Sequence, residues 1–262
     1  MRILSQATAL LAACAAGGVR AASPTSGVME LDLVFPRNES YAPTARLPIV
    51  FAYQNPELAR ALHARVSVIV RNWDNMGVGG ADAQFNLDRA NLSSRDPFLQ
   101  YDYFQEFGVE GHWLLTWTVS WDNCTEHSLA QHYGGQRLTT HTASQVIHFS
   151  TSKSAPEIDL VAATDNKNCP QDLEERQEMG LTFDVTDTLE VPIWADKRAG
   201  DHCAEVAEST PTPSPCRVQI DSAAVSSMAA SMTARACLYK EVSPRKGLSA
   251  PQTTKARRSS WL

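Results

Sequence analysis

"GHWLLTWTVSWDNC", Gly111 to Cys124, sets Trp113, Leu115, Trp117, Val119 and Trp121 at every second position. Successive side chains of an extended chain point to opposite faces, so this period of two predicts a strand with all five on one face. Alternating aromatics of this kind serve either as core or as an exposed platform for sugar rings, and core is the commoner use. We therefore expect Trp113, Trp117 and Trp121 to be buried.

Working outward, "MELDLVF" from Met29 alternates in the same way, with Met29, Leu31, Leu33 and Phe35 on one face and Glu30 and Asp32 on the other, the pattern of a half-buried strand. "LPIVFAY", Leu47 to Tyr53, is apolar on both faces, as in a central strand, with Pro48 tolerated near its start. "VSVIVRNW", Val66 to Trp73, is a third strand, and further strands are expected at Gln145 to Ser150, Ile158 to Ala162 and Leu181 to Val191. Two helical stretches stand out. Asn55-Pro56 reads as an N-cap and first helical residue of a short helix through His63, and "DSAAVSSMAASMTARA" reads as a helix from Asp221 to Ala236 with Asp221 as its cap. Short strands punctuated by turns, with little helix, give a mainly β fold: an antiparallel immunoglobulin-like β-sandwich with a short C-terminal helix and a disordered tail.

The ends speak to compartment. "MRILSQATALLAACAAGGVRAAS" has Arg2 ahead of a Leu/Ala run and Val19-x-Ala21 at a cleavage point, the layout of a secretory signal peptide over residues 1–21. Its apolar part is too short and too broken to span about 30 Å of hydrocarbon, and no later stretch approaches the roughly 18 apolar residues of a membrane helix. The body follows as a sandwich over residues 22–165 and a disulfide-containing extension of the same domain over residues 166–237. The polar, basic residues 238–262 carry no hydrophobic periodicity and read as disordered, without the apolar end of a glycolipid-anchor signal. The stated net charge is -6. Removing Arg2 and Arg20 makes it -8, and setting aside the tail from Lys240, with six Lys/Arg against Glu241, leaves the body near -13. Such an acidic body excludes nucleic acid and anionic lipid as natural partners. The expected partners are cell-wall polysaccharide or another extracellular protein.

In a secreted chain the sequons at Asn38 ("NES"), Asn91 ("NLS") and Asn123 ("NCT") are N-glycosylation candidates, with Asn38 in the exposed turn "PRNESYAP" the best placed. No G-x-S-x-G or H-E-x-x-H is present, and "EHSLAQH" has the wrong spacing and order for a zincin. His127, His132, His141 and His148 fall close in sequence but read as scattered loop histidines, and no paired C-x2-C suggests a metal site, so neither metal nor cofactor is expected. Asp96, Asp102, Glu106 and Glu110 lie among Tyr101, Tyr103 and Phe104. Two carboxylates across a cleft are what glycoside hydrolysis needs, and the three rings suit stacking against sugars, but acids are frequent in this chain and a partly packed loop explains them as well.

"MELDLVFPRNESYAPTARLPIVFAYQNPELA", "GHWLLTWTVSWDNC", "DLVAAT" and "PCRVQIDSAAVSSMAASMTARAC" together resemble a family of secreted proteins from filamentous fungi, catalogued as domain of unknown function 7136. The likeness runs from about Gly27 to Cys237. It implies secretion and a β-rich fold, and it carries over no catalytic residue, because the family has no assigned activity. Relatives commonly continue past the position of Cys237 with a further cysteine and a hydrophobic tail. The basic tail here departs from that pattern, which implies an altered final segment and leaves membrane anchoring unsupported.

Once the signal is removed, Cys124, Cys169, Cys203, Cys216 and Cys237 remain, an odd number in an oxidising compartment. Cys124 and Cys169 both follow strand-like runs, so a bridge between them is expected to tie neighbouring loops. Cys203 and Cys216 bracket "AEVAESTPTPSP", which has little apolar surface to hold it to a core, so a local bridge is expected there. Cys237, where the likeness ends, is then the unpaired thiol. The reading that follows is a secreted, N-glycosylated, non-enzymatic extracellular or cell-wall protein. Its rivals are a secreted carbohydrate-active enzyme and a carbohydrate-binding module.

Overall fold

A computed structural model describes residues 25–76, 80–87, 92, 95–131, 137–194 and 201–242. The expected signal peptide, Asn91, His132 and the tail after Val242 lie outside them, as does the Cys237 side chain.

Ten strands form two five-stranded sheets. They are β1 (Gly27–Phe35), β2 (Ser40–Tyr41), β3 (Leu47–Gln54), β4 (Arg65–Asn72), β5 (Gly80–Asn86), β6 (Phe98–Phe104), β7 (Gly111–Asn123), β8 (Thr139–Thr151), β9 (Gly180–Glu190) and β10 (His202–Val206). One sheet has the order β10-β9-β1-β3-β6 and the other β2-β8-β7-β4-β5. The described pairings are antiparallel except β2 with β8. This is the mainly β, immunoglobulin-like sandwich expected from the alternation. The strand that opened the reading holds its centre: Trp113 and Trp117 are buried between the sheets, and Trp117 meets Phe51 of the facing sheet at 5.5 Å. Trp121, at the far end of β7, is only partly buried, packed edge-on against Phe183.

The two sheets differ in what covers their outer sides. Glu30 and Asp32 on β1, read as the wet face of a half-buried strand, are both buried. The cause is a long-range return of the chain: the Ser214 N–H donates to Glu30, and Pro213 lies close enough to Gly180, opposite Asp32, that a Cβ there would collide with it. The C-terminal helix α5, running from Ser222 to Val242, adds Ala224, Val225 and Met228 to the same cover. Its start is capped as expected, Asp221 Oδ1 accepting from Ala224 N at 2.7 Å, but it continues beyond Ala236 into the first residues read as tail.

Other expectations are corrected. Asn55 is not a helix N-cap: it takes a left-handed φ of 51° and its Nδ2 donates to Val28 O at 2.6 Å, while the short helix α1 (Leu58–Ala61) has Glu57 at its cap. The strand expected at Ile158 to Ala162 is a turn of helix, α3 (Leu160–Ala163), because Asp159 Oδ1 accepts from the Val161 and Ala162 N–H groups and bends the chain. Two further helices, α2 (Glu126–Ala130) and α4 (Leu173–Met179), and the strands β2, β5, β6 and β10 were not expected, β2 and β6 forming in stretches read as a turn and a loop.

The disulfides cross the expected pairing. Cys124 bonds Cys203 and Cys169 bonds Cys216; the expected Cys124–Cys169 and local Cys203–Cys216 bridges do not form. The end of β7 lies against β10, with Cys124 N donating to Ala204 O at 3.0 Å, so the nearest thiol to Cys124 comes from the other sheet. Cys216 sits at the end of the Pro-rich segment, and its bridge to Cys169 fastens that segment over β1.

Candidate functional site

The outer side of the β5-β4-β7-β8 sheet is the part of the sandwich that the C-terminal return leaves open. Register sets the rows. Gln84, Ser67, Thr118 and Ser144 form one, Asp82, Ile69, Thr116 and Val146 the next, and Asn86, Arg65, Ser120 and Thr142 a third. Each of these side chains is exposed or half-buried, whereas the residues between them, such as Val66, Val68, Val119 and Ile147, are buried. A cross-strand bond joins the hydroxyls of Thr118 and Ser144 at 2.8 Å. The result is a surface mostly of hydroxyls and amides, with Arg65 and Asp82 its charged members and a small aliphatic centre at Ile69 and Val146.

One end of this surface drops into a cleft of about 370 Å³ lined by Asn38, Glu39, Ser40, Trp73, His112, His148 and Ser150, with Trp113 and Phe149 also contributing. Its geometry follows from an Asx turn. Asn72 Oδ1 accepts from Asp74 N at 2.9 Å and Asn75 N at 3.0 Å, which ends β4 and turns Trp73 out of the sheet to 55% exposure. The Trp73 ring meets His148 edge-on at 5.5 Å. Asp74 accepts from the His112 backbone N–H and lies 3.1 Å from its Nδ1; these hydrogen bonds hold the Asp74 carboxyl below its ordinary range. Across the cleft, β2 is clamped to β8 by Ser150 N donating to Glu39 O at 3.0 Å and by the Ser40 and Ser150 hydroxyls at 2.5 Å.

The sugar-stacking trio separates. Tyr101 and Tyr103 share the outer side of edge strand β6, their rings 6.0 Å apart, but Phe104 points the opposite way and is 6% exposed in the core. The stretch read as a partly packed loop is a strand, and the strand's period of two divides the rings. Tyr103 borders a second cleft of about 620 Å³ with Arg46, Pro48, Glu157, Asp159 and Val225.

Three of the four acids considered for hydrolysis are engaged by hydrogen-bond donors, and the fourth, Glu106, is exposed. Asp96 accepts from Asn55 N at 3.2 Å, Asp102 from Tyr103 N at 2.9 Å, and Glu110 from Lys153 N at 2.8 Å with the Lys153 ammonium at 3.3 Å. Glu110 is held below its ordinary range first by that backbone bond. The histidines scatter: His127 lies on α2 beside Gln131, His141 stacks on Trp121, and His148 faces Trp73. Among the described residues no group of three His, Cys, Asp or Glu is placed to hold a metal ion, and no helix is long and apolar enough to cross a membrane.

Of the sequons, Asn38 is exposed on the rim of the Trp73 cleft, its Nδ2 3.4 Å from Glu175. Asn123 is half-buried, and its Oδ1 accepts from Val206 N at 3.0 Å. The open face and Trp73 were not singled out from sequence, although the alternation that found the core assigns the intervening residues of β4, β7 and β8 to the outside.

No curated protein matches the chain. A family profile, described as domain of unknown function (DUF7136), matches residues 24–246. The chain belongs to the DUF7136 family.

Proposed function

We propose that this protein is a secreted, N-glycosylated, non-catalytic component of the cell exterior that lays the open face of the β5-β4-β7-β8 sheet against cell-wall polysaccharide. The observation that carries this reading is the asymmetry of the sandwich: the C-terminal return covers the outer side of one sheet at β1, and the other sheet presents rows of hydroxyls and amides to the outside. Protein interfaces centre on buried aromatic, Met and Arg anchors and are poor in Ser. An array mostly of Ser, Thr, Asn and Gln around a small aliphatic patch, with Arg65 and Asp82 its charged members, instead matches the alternating hydroxyls and C–H faces of a sugar chain. Two disulfides and an exposed Asn38 are consistent with an oxidising, glycan-adding route.

The test is co-sedimentation of the purified protein with insoluble chitin, β-glucan and cellulose. Retention on at least one, reduced at least fivefold by Ile69→Glu or Thr118→Arg with the fold intact, is the expected result. Retention unchanged by both substitutions removes the open face from the account.

A further inference from the structure

The Trp73 cleft and the Asn38 sequon occupy the same place, and we propose that the cleft is the docking site of the protein's own Asn38 glycan, with the first N-acetylhexosamine laid on the Trp73 ring. This rests on the secreted, glycosylated reading above. It adds an occupant for a site that the open face does not explain.

Position supports it. Asn38 and Trp73 line one cleft, and the β2–β8 clamp holds the Asn38 turn at a fixed place beside His148 and Ser150. The volume, about 370 Å³, lies at the small end of ligand pockets, which run from about 300 to 1,000 Å³, and suits one or two sugar rings rather than a long chain. The chemistry also fits. The C–H face of a pyranose matches the π-face of an indole, and Trp73 is more than half exposed at the cleft, while Glu39, His112 and Ser150 offer hydrogen-bonding partners for an N-acetyl group and ring hydroxyls. The Asn38 Nδ2 contact with Glu175 is long at 3.4 Å, and a glycosylated amide keeps one N–H with which to make it. A tethered sugar acts at an effective concentration in the millimolar range, so a weak stacking contact is enough to hold it. A free polysaccharide end would have to compete against that concentration, which makes the tethered glycan the favoured occupant.

Protein secreted from a glycosylating host tests this by native enzymatic deglycosylation at Asn38, followed by mass spectrometry. Asn38 should be occupied, and its glycan should be released at least tenfold more slowly from the wild type than from Trp73→Ala. Deglycosylation should also lower the thermal midpoint of the wild type and leave that of Trp73→Ala unchanged, which separates docking from a general loosening of the fold. Equal release rates, or quenching of tryptophan fluorescence by free chitobiose that occurs in the fully glycosylated wild type and is lost in Trp73→Ala, overturn the proposal. An unoccupied Asn38 on secreted protein overturns both it and the glycosylated part of the functional reading, while retention on polysaccharide is scored separately.

Discussion

Asp32 shows what a single position hides. On β1 it alternates with Leu31 and Leu33 and so reads as a solvent-side residue, yet it is 0% exposed. Burial raises its carboxyl well above the ordinary range, and the neighbouring Glu30 charge raises it further; the Gln54 Nε2 hydrogen bond at 2.9 Å and the Arg217 charge act in the opposite direction. Between the ordinary carboxylate value and this raised one, the folded protein holds a proton that the unfolded chain releases. Stability is therefore fully present below the unfolded value and declines as pH rises through the folded one. Asp32→Asn keeps the shape without the charge. It should flatten that decline and raise the midpoint of thermal unfolding at pH 7 by about 2–4 °C, the shift expected for roughly 1 kcal/mol in a domain of this size. Melting curves from pH 4 to 8 check it, and parallel curves for the two proteins would show that Asp32 is ionised throughout. Nothing local in "MELDLVF" announces this burial, because the cover comes from Pro213 and Ser214, far along the chain.

At the scale of elements, legibility followed the strength of the period. The ten residues of His112 to Trp121 keep their alternation, and β7 formed as read with Trp117 at the centre of the sandwich. Trp117→Ala removes a fully buried indole and the hydrogen bond from Nε1 to Glu178 O at 3.1 Å. It should cost about 3–5 kcal/mol, read as a lowered midpoint in urea at constant slope. Short apolar runs were ambiguous. "IDLVAA" has strand-like residues, but the Asp159 side chain satisfies two N–H groups and starts α3 instead. Asp159→Ala should cost about 1 kcal/mol and Asp159→Asn much less, since asparagine caps as well as aspartate; equal losses in chemical denaturation would argue that charge, not capping, matters there. Edge strand β6 was missed because Tyr, Asp and Gln alternate along it with little contrast, leaving its period of two without a hydrophobic signal.

At the scale of the molecule, connectivity was the least legible feature. Cysteine positions carry no pairing, and the expected bridges assumed that strand ends close in sequence are close in space. The sandwich brings β7 to β10 and the Pro-rich segment to Cys169, so each bridge joins parts that only the completed fold makes neighbours. The bridged residues lie 79 and 47 positions apart, and on the chain-entropy account each bridge stabilises by about 4 kcal/mol. Replacing Cys169 and Cys216 together by alanine should lose most of that and expose the segment from 207 to 217 to proteases. Non-reducing peptide maps should join Cys124 to Cys203 and Cys169 to Cys216. The candidate site was partly legible: the sequence placed Asn38 in an exposed turn and Tyr101 and Tyr103 near a surface, but the coincidence of Asn38 with Trp73 depends on β2 lying beside β8. The reading of an extracellular surface protein without turnover meets its most direct test in the supernatant of the polysaccharide incubations. Reducing-end assay of that supernatant is predicted to match the protein-free control while the protein stays on the pellet, and release of soluble sugars that grows with protein concentration and time would contradict it.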